Sequence, residues 1–67
     1  MSLSVKAVRA NAGLNQEEFA EKIGMPVSTY RLKEQGKSPW LFEEICKICD
    51  VFNVDINLLT SNTLYKN

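Results

Sequence analysis

Two cysteines three residues apart are the first side chains in this sequence that could carry out chemistry. Cys46 and Cys49 form a Cys-x-x-Cys pair, a spacing found in metal sites and in redox-active dithiols. The chain has no histidine and no third cysteine, so a four-ligand zinc site would need two carboxylates. The pair also falls in the middle of a predicted helix, not at a helix N-terminus, where thiolates are activated. We therefore interpret both residues as buried, reduced thiols, and expect no cofactor, no bound metal and a cytoplasmic location.

No other combination of side chains favours catalysis. The sequence has no histidine, no nucleophile beside a base and no glycine-rich phosphate loop. At 67 residues the chain should form one domain, with a core too small for a deep pocket. No apolar run approaches the roughly 18 to 20 residues of a membrane helix, and no secretory signal is visible. The sequence therefore predicts a binding protein and not an enzyme.

The segment between Asn15 and Gly36 has the pattern of two short helices joined by a tight turn. Asn15 can cap the first helix, and Glu18, three residues later, can complete a capping box. Gly24 supplies the left-handed residue that ends this helix, and Pro26 suits the opening of the next, which continues to Gly36. Two short helices joined by a turn of three or four residues can place the second helix in a DNA major groove.

This segment resembles the lambda-repressor and Cro type of helix-turn-helix (the XRE family), in the five-helix form of phage repressors. The resemblance extends over roughly residues 4–60. Its strongest matches are residues 13–18 (GLNQEE), 20–24 (AEKIG) and 34–37 (EQGK), and residues 52–55 (FNVD) also fit. It implies a compact all-α bundle whose third helix, here called the recognition helix, reads DNA.

The chain departs from the family pattern at three places. Lys33 occupies a position that is usually apolar, Tyr30 is bulky where isoleucine is common, and the loop between Gly36 and Pro39 is short. We expect Tyr30 to face inward and pack on the second helix. The stem of Lys33 can cover apolar surface while its ammonium reaches solvent or phosphate.

The resemblance also implies a set of DNA-contacting positions. Arg31 can donate two parallel hydrogen bonds to guanine O6 and N7 or bind a phosphate. Ser28 can donate to or accept from most base edges. Val27 can only pack on a thymine methyl or exclude a base. Leu32 either touches a methyl or sugar in the groove or packs locally. The predicted set comprises Asn15, Gln16, Val27, Ser28, Arg31, Leu32 and Lys37.

Three further polar residues lie in or beside the recognition helix, and the resemblance gives roles to Gln16 and Glu34. Gln16 opens the second helix, where it would hold a phosphate and brace the recognition helix; otherwise it is an exposed residue of a first turn. Lys37 is either a phosphate contact or a solvated lysine. Glu34 lies near a helix C-terminus, where a carboxylate interacts unfavourably with the helix dipole, so we expect a cationic partner that offsets this cost. The resemblance supplies Arg9, in a structural ion pair that clasps the recognition helix to the first helix.

The charge balance is unusual for a DNA-binding protein. Eight basic and eight acidic residues give zero net charge, and the pI is about 6.2. DNA-binding domains are usually basic, because phosphate neutralisation supplies most nonspecific affinity. Between Met25 and Pro39, however, three basic residues stand against one acidic residue. We expect a dipolar molecule with one modestly basic face.

Hydrophobic spacing predicts five helices and no sheet. The first buries Val5, Val8 and Ala12, and the fourth opens at Ser38–Pro39. The buried face of the fourth helix is predicted to carry Leu41, Ile45, Ile48, Cys49 and Phe52. The predicted helices cover about residues 4–12, 16–23, 27–35, 39–52 and 55–60, followed by a polar tail over 61–67.

The sequence thus predicts a sequence-specific DNA-binding transcriptional regulator, namely a small phage- or prophage-type repressor. We expect a homodimer on a near-palindromic operator, because one short helix reads too few bases for useful selectivity. The dimer surface is predicted around Leu58, Leu59, Leu64 and Tyr65. The expected partners are double-stranded DNA and a second copy of the chain, with no membrane and no small-molecule substrate.

Two alternatives remain open at the level of sequence. The zero net charge and the apolar residues on the recognition helix also fit a protein-interaction module, antirepressor- or antitoxin-like, that retains the fold without strong DNA binding. The chain could also be the DNA-binding fragment of a longer regulator. A gel shift with random duplex at low salt separates the first alternative from the repressor prediction.

Overall fold

Five helices and one pair of very short strands make up the described part of the chain. The structure is a computed structural model that describes residues 4–60 and 65–66. In chain order the elements are α1 (Val5–Asn11), α2 (Gln16–Lys22), α3 (Val27–Glu34), β1 (Trp40–Leu41), α4 (Phe42–Phe52), α5 (Ile56–Thr60) and β2 (Tyr65–Lys66). The all-α fold class is confirmed. No helix within the described residues is long and apolar enough to cross a membrane.

Local sequence accounts for the ends of α1, α2 and α3, which lie within one residue of the predicted bounds. Ser4 caps α1 through its hydroxyl. The Asn15 side chain accepts from the Glu18 backbone at 2.8 Å, and the Glu18 carboxylate accepts from the Asn15 backbone at 2.9 Å. Gly24 follows α2 with a φ of +71°, a conformation that costs other residues strain.

The fourth helix begins at Phe42, three residues later than predicted. Trp40 and Leu41 are extended instead and pair in parallel with β2, so the prediction of no sheet misses this short pair. Trp40 is buried with its ring edge on Tyr30, at 5.9 Å between centroids, whereas Leu41 is 40% exposed and does not lie on a buried helix face. Burial of the large indole outweighs the helix-start signal at Ser38–Pro39.

An aromatic cluster joins α2, α3 and α4 at the centre of the core. Phe19 is fully buried, stacks on Phe52 at 4.6 Å and lies 5.2 Å from the tilted ring of Tyr30. Tyr30 therefore faces inward, as predicted, and anchors the buried side of α3. The core comprises Val5, Val8, Phe19, Ala20, Ile23, Tyr30, Trp40, Ile45, Ile48 and Leu59.

Three apolar residues lie elsewhere than the sequence predicted. Ala12 is exposed because α1 ends one residue earlier, at Asn11. Leu59 is completely buried in the core, so it cannot belong to a dimer surface, whereas Leu58 is 38% exposed. The backbone of Tyr65 pairs with β1 and is not part of a frayed tail, and Leu64 lies outside the described residues.

Candidate nucleic-acid interface

The recognition helix α3 is held on one side and open on the other. The turn before it is closed by the Met25 N–H, which donates to the Ala20 carbonyl at 2.9 Å, and Pro26 precedes the first helical residue. Tyr30 and Lys33 are buried on the inner side. The outer side carries Ser28, Arg31 and Leu32, all three exposed.

Not all of the predicted DNA-contacting residues are equally accessible. Leu32 is 47% exposed, whereas Val27 is half-buried and packs against the core, so it offers less surface than the sequence suggested. Lys37 is exposed just beyond the end of α3. Asn15 is exposed at the start of α2, but its side-chain oxygen is used for capping. The structure thus brings Ser28, Arg31 and Leu32 to one surface.

A carboxylate beneath this surface gathers four hydrogen bonds. Arg9 donates to Glu34 through Nε at 2.9 Å and through Nη2 at 3.2 Å. Gln16 Nε2 donates to the same carboxylate at 2.9 Å, and the Tyr30 hydroxyl donates to it as well. These four residues, here called the Glu34 cluster, tie together α1, the start of α2 and the recognition helix.

Arg31 is connected to this cluster through Gln16. Its Nε donates to Gln16 Oε1 at 3.2 Å, while Gln16 Nε2 is bonded to Glu34. Gln16 therefore bridges a buried carboxylate and an exposed guanidinium. Because the bond uses Arg31 Nε, it orients the guanidinium without using the N–H groups of the two terminal nitrogens.

The Glu34 cluster shifts the ionisation of its members in ways that follow from burial and charge. Burial alone would raise the pKa of Glu34, but hydrogen bonds from Arg9, Tyr30 and Gln16 outweigh it and lower the pKa from its ordinary value of 4.5. The hydrogen bond to Glu34 raises the pKa of Arg9. Burial, followed by the neighbouring carboxylate, raises the pKa of Tyr30 above its ordinary value. At neutral pH Glu34 is therefore a carboxylate, Arg9 a guanidinium cation and Tyr30 a neutral phenol.

Lys33 does not reach solvent or phosphate, contrary to the expectation from sequence. Its side chain is 8% exposed, and its ammonium lies 2.6 Å from Glu44 Oε1 and 3.1 Å from the Pro39 carbonyl oxygen. The same ammonium sits 5.7 Å from the centre of the Trp40 ring. A carboxylate eleven residues away along the chain neutralises it, so Lys33 adds no net charge to the outer side of α3.

The two cysteines are half-buried free thiols, less enclosed than predicted. Burial, then the neighbouring Cys46 and Asp55, raise the pKa of Cys49, which disfavours a reactive thiolate. Within the described residues, no three Cys, Asp or Glu side chains are grouped so that they could hold a metal ion.

Two contacts of the site were not anticipated from the sequence. The spacing of four between Tyr30 and Glu34 places them on one helix face and could have signalled their hydrogen bond. The pairing of Lys33 with Glu44 has no such local signal, because it depends on how the loop before Trp40 folds back.

The comparisons with known proteins agree with this geometry. Residues 5–59 match the helix-turn-helix family model, while neither curated proteins nor solved structures gave a match. The matched family consists of DNA-binding regulator domains and is not an enzyme family. Because the match spans most of the chain, the chain belongs to the Cro/C1-type (XRE) helix-turn-helix family of DNA-binding regulators.

Proposed function

We propose that this protein is a sequence-specific repressor of phage or prophage type, which binds a near-palindromic operator as a homodimer. The observation that carries the proposal is the outer face of α3. Ser28, Arg31 and Leu32 are exposed there together, while the opposite side of the helix is fixed in the core by Tyr30. A short helix held in this way can enter the major groove as a rigid unit.

Arg31 is the residue we assign to base reading. Gln16 holds its Nε, so Nη1 and Nη2 are placed to donate in parallel to O6 and N7 of a guanine. Ser28, one turn earlier, would donate to or accept from a neighbouring base edge. Leu32 would contact a thymine methyl, since its side chain has no hydrogen-bonding group.

Residues flanking α3 would hold the DNA backbone. Asn15 and Gln16 open α2; because the capping box uses the N–H groups of Asn15 and Glu18, those of Gln16 and Glu17 are the ones that would donate to a phosphate. Lys37 follows the C-terminal end of α3 and would contact a phosphate through its ammonium. Such contacts fix the register of the helix but carry little sequence information.

Dimer formation completes the proposal, because an eight-residue helix contacts only a few bases. We place the dimer contact around Leu58 and the residues that follow α5, with Leu59 excluded because it is buried. Two copies related by a two-fold axis would read two half-sites. Repression would then be steric occlusion of a promoter.

The test is selection of bound duplexes from a random library, followed by affinity measurements on the selected site and on single-base variants. R31A should relax preference at one base pair by about 1–3 kcal/mol, the value of a bidentate contact. K47A is the matched control, because Lys47 is an exposed lysine of α4 that is not among the predicted DNA-contacting residues. An unchanged preference at every base pair would remove Arg31 from base reading.

A protein-interaction module is the second candidate, and the exposure of Leu32 on a molecule of zero net charge favours it. An antirepressor- or antitoxin-like protein would use the same face of α3 to contact a partner protein. Absence of binding to any duplex, even at low salt, would refute the repressor proposal and support this alternative.

A further inference from the structure

Lys33 is a charged residue buried on the inner side of α3, with its side chain only 8% exposed. A buried ammonium is costly unless it is paired and hydrogen-bonded. Here it is both, because Glu44 supplies a counter-charge at 2.6 Å and Pro39 a carbonyl at 3.1 Å. Lys33 therefore connects the recognition helix to the loop that follows it and to the next helix.

Glu44 extends the same connection to the start of α4. Its Oε1 accepts from Lys33 Nζ and also from the Leu41 N–H, at 2.8 Å. One oxygen atom thus joins α3 to the residue immediately before α4. The ring of Trp40, which is buried in the core, also lies beside the Lys33 ammonium.

The loop from Gly36 to Pro39 is held at both of its ends. At its start, the Lys37 and Ser38 N–H groups both donate to the Leu32 carbonyl, at 2.9 Å and 3.3 Å. At its end, the Pro39 carbonyl accepts from the ammonium of Lys33. Lys37 belongs to the first of these anchors through its backbone, lies two residues before the second, and is exposed.

The buried lysine and the short loop therefore belong together. A short connection to the buried Trp40 brings the Pro39 carbonyl within 3.1 Å of the Lys33 ammonium, which donates to it. An apolar side chain at position 33 could fill the space but could not satisfy that carbonyl or pair with Glu44.

We propose that Lys33 and Glu44 are positioning residues that hold the loop from Gly36 to Pro39 so that Lys37 meets the DNA backbone. This inference rests on the proposed DNA-binding function. Lys33 itself touches no DNA and acts through Lys37. Loss of the Lys33 contacts should release the end of the loop and weaken the phosphate contact without altering base preference.

A double-mutant cycle on duplex binding tests the inference. Far-UV circular dichroism first measures the folded fraction of each variant, and affinities are compared at equal concentrations of folded protein. K37A should lower affinity about fivefold per subunit on every duplex, the upper range for an exposed ion pair. K33M should produce a similar loss and a similar decrease in salt dependence, although it removes no charge from the surface. In the K37A background, K33M should change affinity less than about 1.5-fold, because the contact through which it acts is already gone. K47M is the matched control for loss of a lysine.

A second variant covers the case in which K33M does not fold. E44Q keeps an oxygen for the Leu41 N–H but removes the counter-charge of Lys33, and E43Q at the exposed neighbouring glutamate is its control. E44Q should weaken binding to all duplexes in the same direction as K33M, and E43Q should not. Losses that add fully to that of K37A, or an unchanged affinity in both variants, would overturn the inference.

Amide hydrogen exchange on the free protein separates this inference from the proposed function. The Ser38 N–H, which donates to the Leu32 carbonyl within the loop, should exchange at least several-fold faster in E44Q and K33M than in the wild type, while amides of α2 stay unchanged. If the wild type binds no duplex, the proposed function fails, and equal exchange at Ser38 would additionally show that Lys33 and Glu44 do not hold the loop.

Discussion

Replacing Glu34 with glutamine should strongly destabilise this protein, because four hydrogen bonds converge on that carboxylate. A glutamine side chain has one acceptor oxygen, so at least some of these donors lose their partner. The Arg9 guanidinium also loses its counter-charge. The side chain of Glu34 is only 6% exposed and that of Arg9 17%, so water cannot fully replace the lost contacts.

The magnitude follows from this burial. Breaking a buried ion pair costs about 3–5 kcal/mol of stability. Because water has partial access to Arg9, we expect E34Q to lower the free energy of unfolding by about 3 kcal/mol, the lower end of this range. A domain of 67 residues has a total stability of about 3–10 kcal/mol. The substitution should therefore remove a third or more of the free energy of unfolding and lower Tm by about 12–24 °C.

Urea unfolding followed by far-UV circular dichroism measures this loss. E21Q is the matched control, since Glu21 is exposed on α2 and its substitution should stay within about 0.5 kcal/mol of wild type. If E34Q lies within about 1 kcal/mol of E21Q, the Glu34 cluster does not stabilise the fold as its geometry indicates.

The same carboxylate should make stability depend on pH on the acid side. Because the folded-state pKa of Glu34 is lowered from 4.5, its contribution is complete above that value and is lost as the pH falls through the folded pKa. Urea midpoints measured from about pH 6 to about pH 3 should fall more steeply for wild type than for E34Q. Parallel curves would contradict the assignment.

Three further outcomes are expected. Lys37 in each of two subunits, at roughly 0.9 per neutralised phosphate, should contribute about 2 to the magnitude of the slope of log affinity against log salt, and K37A should remove that contribution; salt titrations of duplex binding measure it. The double variant C46S/C49S should retain duplex binding in its folded fraction, and loss of wild-type binding on addition of a chelator would contradict this. N53A should destabilise by about 1 kcal/mol in urea unfolding, because Asn53 ends α4 with a φ of +55°, whereas N53G should be near neutral.

Much of the helix-turn-helix unit follows from local sequence. The capping box of Asn15 and the left-handed Gly24 act within a few residues of the chain, so the ends of α2 could be predicted without knowing the rest of the fold. The inward position of Tyr30 follows from helical periodicity in the same way. The pairing of Arg9 with Glu34 came from the family resemblance, because no local rule joins residues 25 positions apart.

Other features depend on tertiary packing and had no local signal. Ser38–Pro39 has the sequence of a helix start, yet the burial of Trp40 draws the chain into an extended segment and delays α4 to Phe42. Lysine is usually a surface residue, yet the folded loop places Glu44 and the Pro39 carbonyl beside the ammonium of Lys33. Periodicity tells which face of a helix is apolar, whereas the contacts between elements decide which charged groups lose their water and which remain free to meet DNA.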